Sequence, residues 1–251
     1  MSGGAGAGRA RVWRVEVTAL SAAAATEARW VLDREETRRA ATFVRAADRE
    51  LYLVAHVALR VVLAQALGRP AHRVEYGRAD CPGCGGPHGR PVAVAERAPE
   101  FSLSHTDGLA LIALADRPVG VDVERRAVFT GSDGPDIAAQ LHPAERAALA
   151  RLPEPRWADA LLACWVRKEA HLKGTGIGLA DGLAGHHVGF GPESGSWAGP
   201  TPAGPAGWGL AGVPVPAGYG AAVALRSTAG TAPQVRTDDL DLAGALAAAR
   251  C

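Results

Sequence analysis

Residues 109 to 124, LALIALADRPVGVDVE, leave the chain little freedom. Two apolar, strand-like runs, 109 to 115 and 119 to 124, are separated only by Asp116, Arg117 and Pro118. They either turn back on each other as a hairpin or meet as strands at a domain seam. In the second run the two-residue period of a strand puts Val119, Val121 and Val123 on one face and Gly120, Asp122 and Glu124 on the other. Two carboxylates then share a face with no cation beside them in the strand. An exposed strand face is one account of such a pair. An oxygen-preferring divalent ion such as Mg²⁺, which takes few carboxylates and completes its shell with water and phosphate, is the other.

Around this core the pattern alternates between helix and strand. RVWRVEV reads as a half-buried strand carrying Trp13, Val15 and Val17 on one face. Leu51, Val54, Ala58 and Val61 recur at helical spacing, and Gly68 with Pro70 supplies the stop. Val74 to Tyr76 is a short strand candidate, and a Gly- and Pro-rich loop from 77 to 91 separates it from EFSLSH, another strand. His142-Pro143 opens a helix, and a longer helix over 156 to 173 ends at Gly174 as its C-cap. Val188 to Phe190, a loose Gly/Pro stretch from 191 to 218 and YGAAVALR follow. Helices precede strands in each half, which gives an α+β fold of two similar, pseudo-symmetric α/β lobes, 10–118 and 119–228, with a partly ordered tail over 229–251.

With 27 basic and 26 acidic residues among 251, the chain has no charge excess that would favour nucleic acid or a membrane surface. The start MSGGAGAGRARV lacks a signal-peptide apolar region, and no run of about 18 apolar residues is evident, so the expectation is a cytoplasmic protein. Cys164 and Cys251 stand alone. Cys81, Cys84 and His88, in CPGCGGPHG, have the spacing of half a zinc site, but a closed structural site takes four ligands and no second pair follows. The stretch therefore reads as a metal-free Gly/Pro turn.

The only two lysines, set against twenty-five arginines, are Lys168 and Lys173 in WVRKEAHLKGTGIGL. Trp165, Glu169 and Lys173 lie four residues apart and form one stripe on a helix. A surface ion pair would account for the charges, but Arg would serve that role equally well. A compact ammonium suits a phosphate, so both lysines are read as ligand-facing. The glycines of GTGIGL follow a helix instead of opening one, so they do not form a nucleotide loop. FSLSHT offers Ser102, Ser104 and His105 without the G-x-S-x-G elbow of a serine hydrolase.

The order SLSHT, GVDVE, WVRKEAHLK resembles the 4′-phosphopantetheinyl transferases of the surfactin-synthetase-activating type. The likeness runs from Arg38 to Leu179 and includes Gly-Arg-Pro at 89 to 91. The resemblance implies transfer of the phosphopantetheine arm of coenzyme A to a serine of an apo acyl or peptidyl carrier protein by a monomer, with release of adenosine 3′,5′-bisphosphate. It also implies that Asp122, Glu124 and Glu169 hold Mg²⁺, that Glu169 acts as base, and that Lys173 and Lys168 neutralise phosphate. Arg90, Ser104 and His105 match positions near the adenosine and its 3′-phosphate. Arg38, Arg39 and Arg49 match basic helices reaching the same phosphate, although a solvated face explains each equally well. Glu145 takes a supporting role, helix capping being a sufficient explanation, and Trp165 is read as packing. The competing readings are an inactive coenzyme A binding module and a metal-dependent phosphohydrolase.

Overall fold

A computed structural model describes residues 8–178, 182–191, 204–228 and 230–248. The strands are β1 (Arg9–Glu16), β2 (Tyr76–Arg78), β3 (Pro91–Ala93), β4 (Glu100–Thr106), β5 (Leu109–Ala115), β6 (Val119–Arg125), β7 (Trp208–Gly212), β8 (Tyr219–Arg226) and β9 (Gln234–Asp239). The helices are α1 (Ala19–Glu27), α2 (Arg34–Ala41), α3 (Ala46–Leu67), α4 (Gly134–Ala139), α5 (Pro143–Leu149), α6 (Glu154–Thr175) and α7 (Leu242–Ala248). Helix and strand are mixed and the pairing is mainly antiparallel, as expected of an α+β chain. Leu179, residues 192–203 of the Gly/Pro stretch, residue 229 and residues 249–251 lie outside the described residues.

Beside a two-stranded β2-β3 sheet, the two larger sheets lie back to back. The first has the order β4-β5-β1-β9 and the second β6-β8-β7. LALIALA is buried along its whole length because its two faces meet different partners. Ala110, Ile112 and Leu114 pack with Trp13, Val15 and the apolar face of α3, while Leu109, Leu111 and Ala113 pack with Val119, Val121 and Val123 of β6. The far face of the second sheet, including Ala222 and Ala224, packs on α6. β5 and β6 are thus strands of different sheets meeting at a seam, and the hairpin alternative falls away.

At that seam two sheet edges abut. The edge strand β6 has N–H groups that β8 does not reach, and hydroxyls on β4 take them: Val121 N–H donates to Ser102 Oγ at 3.1 Å and Val123 N–H to Ser104 Oγ at 3.3 Å. Buried donors need partners, and serine side chains here stand where a neighbouring strand's carbonyls would otherwise be.

Glycine sets how close α6 lies to β6. A Cβ on Gly120 would lie 1.9 Å from Ala170 O and 2.4 Å from Gly174 N, and one on Gly174 would lie 2.6 Å from the Trp208 ring. Gly174 is therefore a packing residue inside the helix. The helix runs on to Thr175, and Gly176, at φ +78°, is the left-handed C-cap. A Cβ on Gly176 would also meet Arg90 N at 2.8 Å, so the loop carrying Arg90 rests against this end of α6.

In the first unit, Asp33 and Glu36 form the capping box that starts α2. The buried Arg60 of α3 ties that box down, reaching Glu36 at 2.6 Å, Asp33 at 2.9 Å and Val74 O at 2.8 Å. This fixes the helix that bears Arg38 and Arg39.

The segment read as a tail behaves otherwise: β9 pairs in parallel with β1, and Leu242 and Leu246 of α7 enter the first core. Of the described helices only α3 has the length and apolar content of a membrane span, and it is a mostly buried core helix.

Gly120→Ala should destabilise the fold by about 3 kcal/mol, since its Cβ meets backbone that cannot yield. Gly131→Ala, with open space around it, should stay within about 0.5 kcal/mol. Urea unfolding of the two variants checks the contrast.

Candidate active site

The seam places one hydroxyl among three groups. Ser104 Oγ donates to Asp122 Oδ1 at 2.8 Å and accepts from Lys173 Nζ at 2.8 Å and from Val123 N–H. Its one proton and two lone pairs are all engaged. Lys173 Nζ also donates to Asp122 Oδ1 at 2.7 Å. One contact set therefore joins β4, β6 and α6, elements far apart in the sequence.

Asp122 is buried, and desolvation pushes its carboxyl pKa up despite the opposing pull of Lys173 and of the Ser104 hydrogen bond. Glu169 is half-buried, and its pKa is likewise raised, first by desolvation and then by repulsion from Asp122. Among the described residues no hydrogen-bond or ion-pair donor engages Glu169, so its carboxylate is available to a ligand. Glu124 is held at the strand end by Thr106 Oγ1 at 2.5 Å and by Arg125 N–H at 2.7 Å.

These groups border two adjoining hollows. One, of about 310 Å³, is lined by Ser104, His105, Asp122, Glu124, Trp165 and Glu169. The other, of about 330 Å³, is lined by Arg78, His88, Arg90 and Ser102. Leu103, Glu169 and Lys173 border both, so the two form one cleft. A larger, mainly apolar hollow of about 430 Å³, lined by Leu162, Val166, Val213 and Tyr219, contains none of the three carboxylates.

The stripe read from sequence is real geometry: Trp165, Glu169 and Lys173 all face the first hollow, and Trp165 also packs near Phe129. Arg90 borders the second and is held by Glu100 through both terminal nitrogens. His105, on the rim, is pushed down to a pKa of about 4 by desolvation among its protein neighbours and by the nearby His56 and Lys173. It is therefore neutral at pH 7 in the ligand-free chain. Arg38, Arg39 and Arg49 are exposed on α2 and α3 and do not line the cleft.

Lys168 does not join this group. It is almost fully buried, pairs with Glu145 at 2.7 Å and donates to His186 O at 2.5 Å. Its reading as a phosphate ligand fails because its position on the helix turns it into the core. Glu145 is fully buried as well, and it accepts from Val188 N–H at 2.8 Å, Gly189 N–H at 3.2 Å and His142 N–H at 3.1 Å. The role missed in the sequence is that of Ser102, whose SLS spacing with Ser104 puts both hydroxyls on the face that closes β6.

Among the described residues, the three carboxylates are not a group whose ligand atoms all lie within 4.8 Å of one another. Lys173 takes the place beside Asp122. The arrangement brings three carboxylates, one ammonium and two guanidiniums to a single open cleft, a chemistry suited to a hard cation together with a phosphorylated ligand.

Residues 118–200 match the family model of the 4′-phosphopantetheinyl transferase superfamily. The match covers β6 and α6, and with them Asp122, Glu124, Glu169 and Lys173. Over 157 residues, 61% of this chain, the sequence is 28% identical to a Synechocystis protein named "Putative 4′-phosphopantetheinyl transferase slr0495", covering 60% of that protein. Over 154 residues, 59% of this chain, it is 30% identical to the 4′-phosphopantetheinyl transferase HetI of Nostoc, covering 61% of it. The chain thus spans about three fifths of the length of these curated relatives.

Because removing one member of a buried ion pair strands the other, Glu145→Gln should cost about 3 to 5 kcal/mol of stability. Chemical denaturation of the variant checks this; a loss below about 1 kcal/mol would mean that the buried pair does not hold Lys168 in the core.

Proposed function

We propose that the chain transfers the 4′-phosphopantetheine arm of coenzyme A to a serine of an apo carrier protein, acyl or peptidyl, releasing adenosine 3′,5′-bisphosphate. The observation that carries this reading is the placement of Asp122, Glu124, Glu169 and Lys173 along one cleft, within the segment that matches the transferase family.

Asp122, Glu124 and Glu169 fit a divalent cation by their donor chemistry: all three offer hard oxygens, and one is already neutralised by an ammonium. They would hold Mg²⁺, which when bound neutralises pyrophosphate charge. Lys173, shared between Ser104 and Asp122, can turn to a phosphate oxygen. Glu169, without a donor among the described residues and with its pKa raised, takes the proton of the attacking serine hydroxyl. The new bond forms between serine oxygen and the phosphorus nearer the pantetheine, and the bond from that phosphorus to the bridging oxygen breaks. The bisphosphate leaves with that oxygen.

Arg90, held by Glu100 on the wall of the second hollow, is the cation we assign to the 3′-phosphate, with His105 on the rim of the first. Arg38, Arg39 and Arg49 would reach coenzyme A only from the exposed faces of α2 and α3, and Lys168 is left out of the binding set. The two-lobed, pseudo-symmetric description draws support from the pairing of each sheet with one 22-residue helix ending on a left-handed glycine. A monomer suffices, because β4 supplies Ser104 while β6 and α6 supply the remaining groups within one chain.

The test is intact-mass measurement of apo acyl and apo peptidyl carrier proteins incubated with the chain, coenzyme A and Mg²⁺, with an EDTA control. A metal-dependent gain of the phosphopantetheine mass on serine is the expected result. Hydrolysis of coenzyme A without an acceptor would instead mark a phosphohydrolase. Glu169→Gln should slow transfer by roughly 10² to 10⁴-fold.

The raised carboxyls give a second readout. Without a divalent cation, each contributes stability that is complete below its unfolded pKa and lost as pH rises through the folded value. Cation binding must displace those protons. Adding Mg²⁺ just above the ordinary carboxylate range should therefore release protons from the wild-type chain and fewer from Glu169→Gln, as read by a pH indicator.

A further inference from the structure

The loop between β2 and β3 is more organised than a Gly/Pro turn requires. Cys81, Cys84 and His88 place two sulfurs and a ring nitrogen within 4.8 Å of one another, with Cys84 Sγ 3.0 Å from His88 Nε2. Among the described residues this is the only group of three His, Cys, Asp or Glu side chains that converges so closely.

The backbone is shaped to bring them together. Cys81 N–H donates to Gly86 O at 2.7 Å, Gly85 N–H to Cys81 O at 2.8 Å, and His88 N–H to Gly86 O at 2.8 Å. Gly85 sits at φ +73°, where a side chain would be strained. A Cβ on Gly86 would lie 3.0 Å from the His88 ring and 3.5 Å from Cys84 Sγ, so the absence of one leaves room for imidazole and thiol to face each other.

We propose that Cys81, Cys84 and His88 bind a zinc ion, through two thiolates and Nε2, with the fourth position left to solvent. Soft sulfur with imidazole selects Zn²⁺ over the hard cations suited to the carboxylate cleft. Cys81 is buried while Cys84 and His88 are exposed, which gives the ion a route in. The sequence reads as a metal-free turn because a second ligand pair is missing. A three-ligand site with an open position does not need one.

The location gives the site a consequence. Ala79 N–H donates to Arg90 O at 3.0 Å and Gly89 N–H to Ala79 O at 2.9 Å, so the loop closes directly on Arg90. His88 and Arg90 both border the cleft. A metal here locks the wall of the cleft from which Arg78 and Arg90 project.

The test is elemental analysis of the full chain, purified without a polyhistidine tag under reducing conditions. Stoichiometric zinc is expected, lost in Cys84→Ser and in His88→Ala, whose exposed positions spare the core. Chelator-extracted wild type refilled with Co²⁺ should show thiolate charge-transfer bands and the visible absorption of a tetrahedral ion. Hydrogen exchange over residues 79–90 should rise on zinc extraction with the far-UV spectrum unchanged. A zinc-free protein that gives no such bands with Co²⁺, equal zinc in wild type and both variants, or a Cys81–Cys84 disulfide under these conditions would each overturn the proposal.

Discussion

The Ser104 hydroxyl is the contact on which the cleft depends. It closes the free edge of β6, orients Asp122 and shares the Lys173 ammonium with it, so one side chain joins two sheets and a helix. The sheets pack on each other through apolar side chains, which hold them together but do not fix their edges in register. Directional bonds from Ser102 and Ser104 supply that register. An alanine at 104 would leave a buried N–H and a buried carboxylate short of partners, so seam and site are built from the same atoms.

The second requirement is steric. Asp122 can meet Lys173 because α6 lies close against β6, and that closeness exists because Gly120 and Gly174 present no Cβ where backbone meets backbone. Burial then does two things at once. It raises the carboxyls of Asp122 and Glu169, and it keeps the counter-charge short-ranged and specific, carried by one compact ammonium.

Much of this was legible in the sequence. The two-residue period of VGVDVE placed both carboxylates on one face, and the four-residue spacing of Trp165, Glu169 and Lys173 placed them on one stripe, because those periods are fixed by backbone geometry. Lys168 was misread for the same reason. A helical period says that 168 and 173 differ in direction but not which direction is core, and Glu145, His186 and Val188, which settle it, arrive from distant segments. Gly174 was read as a helix end because a glycine near the end of a helical pattern is usually a cap, whereas tertiary packing on Trp208 and Gly120 carried the helix further. β9 was hidden because QVRTDD offers little apolar signal. Its place in the sheet is secured by parallel pairing with β1 and by Arg11–Asp238 and Arg14–Asp239 ion pairs across the two strands.

A structure of the chain with coenzyme A and Mg²⁺ tests the central claim most directly, that the seam cleft is a phosphate site held ready by Lys173. The account predicts the pyrophosphate between Glu169 and Lys173, the cation on Asp122, and the Lys173 ammonium moved from Asp122 to a phosphate oxygen. Coenzyme A bound away from this cleft, or Lys173 unmoved on Asp122 with ligand present, would contradict it.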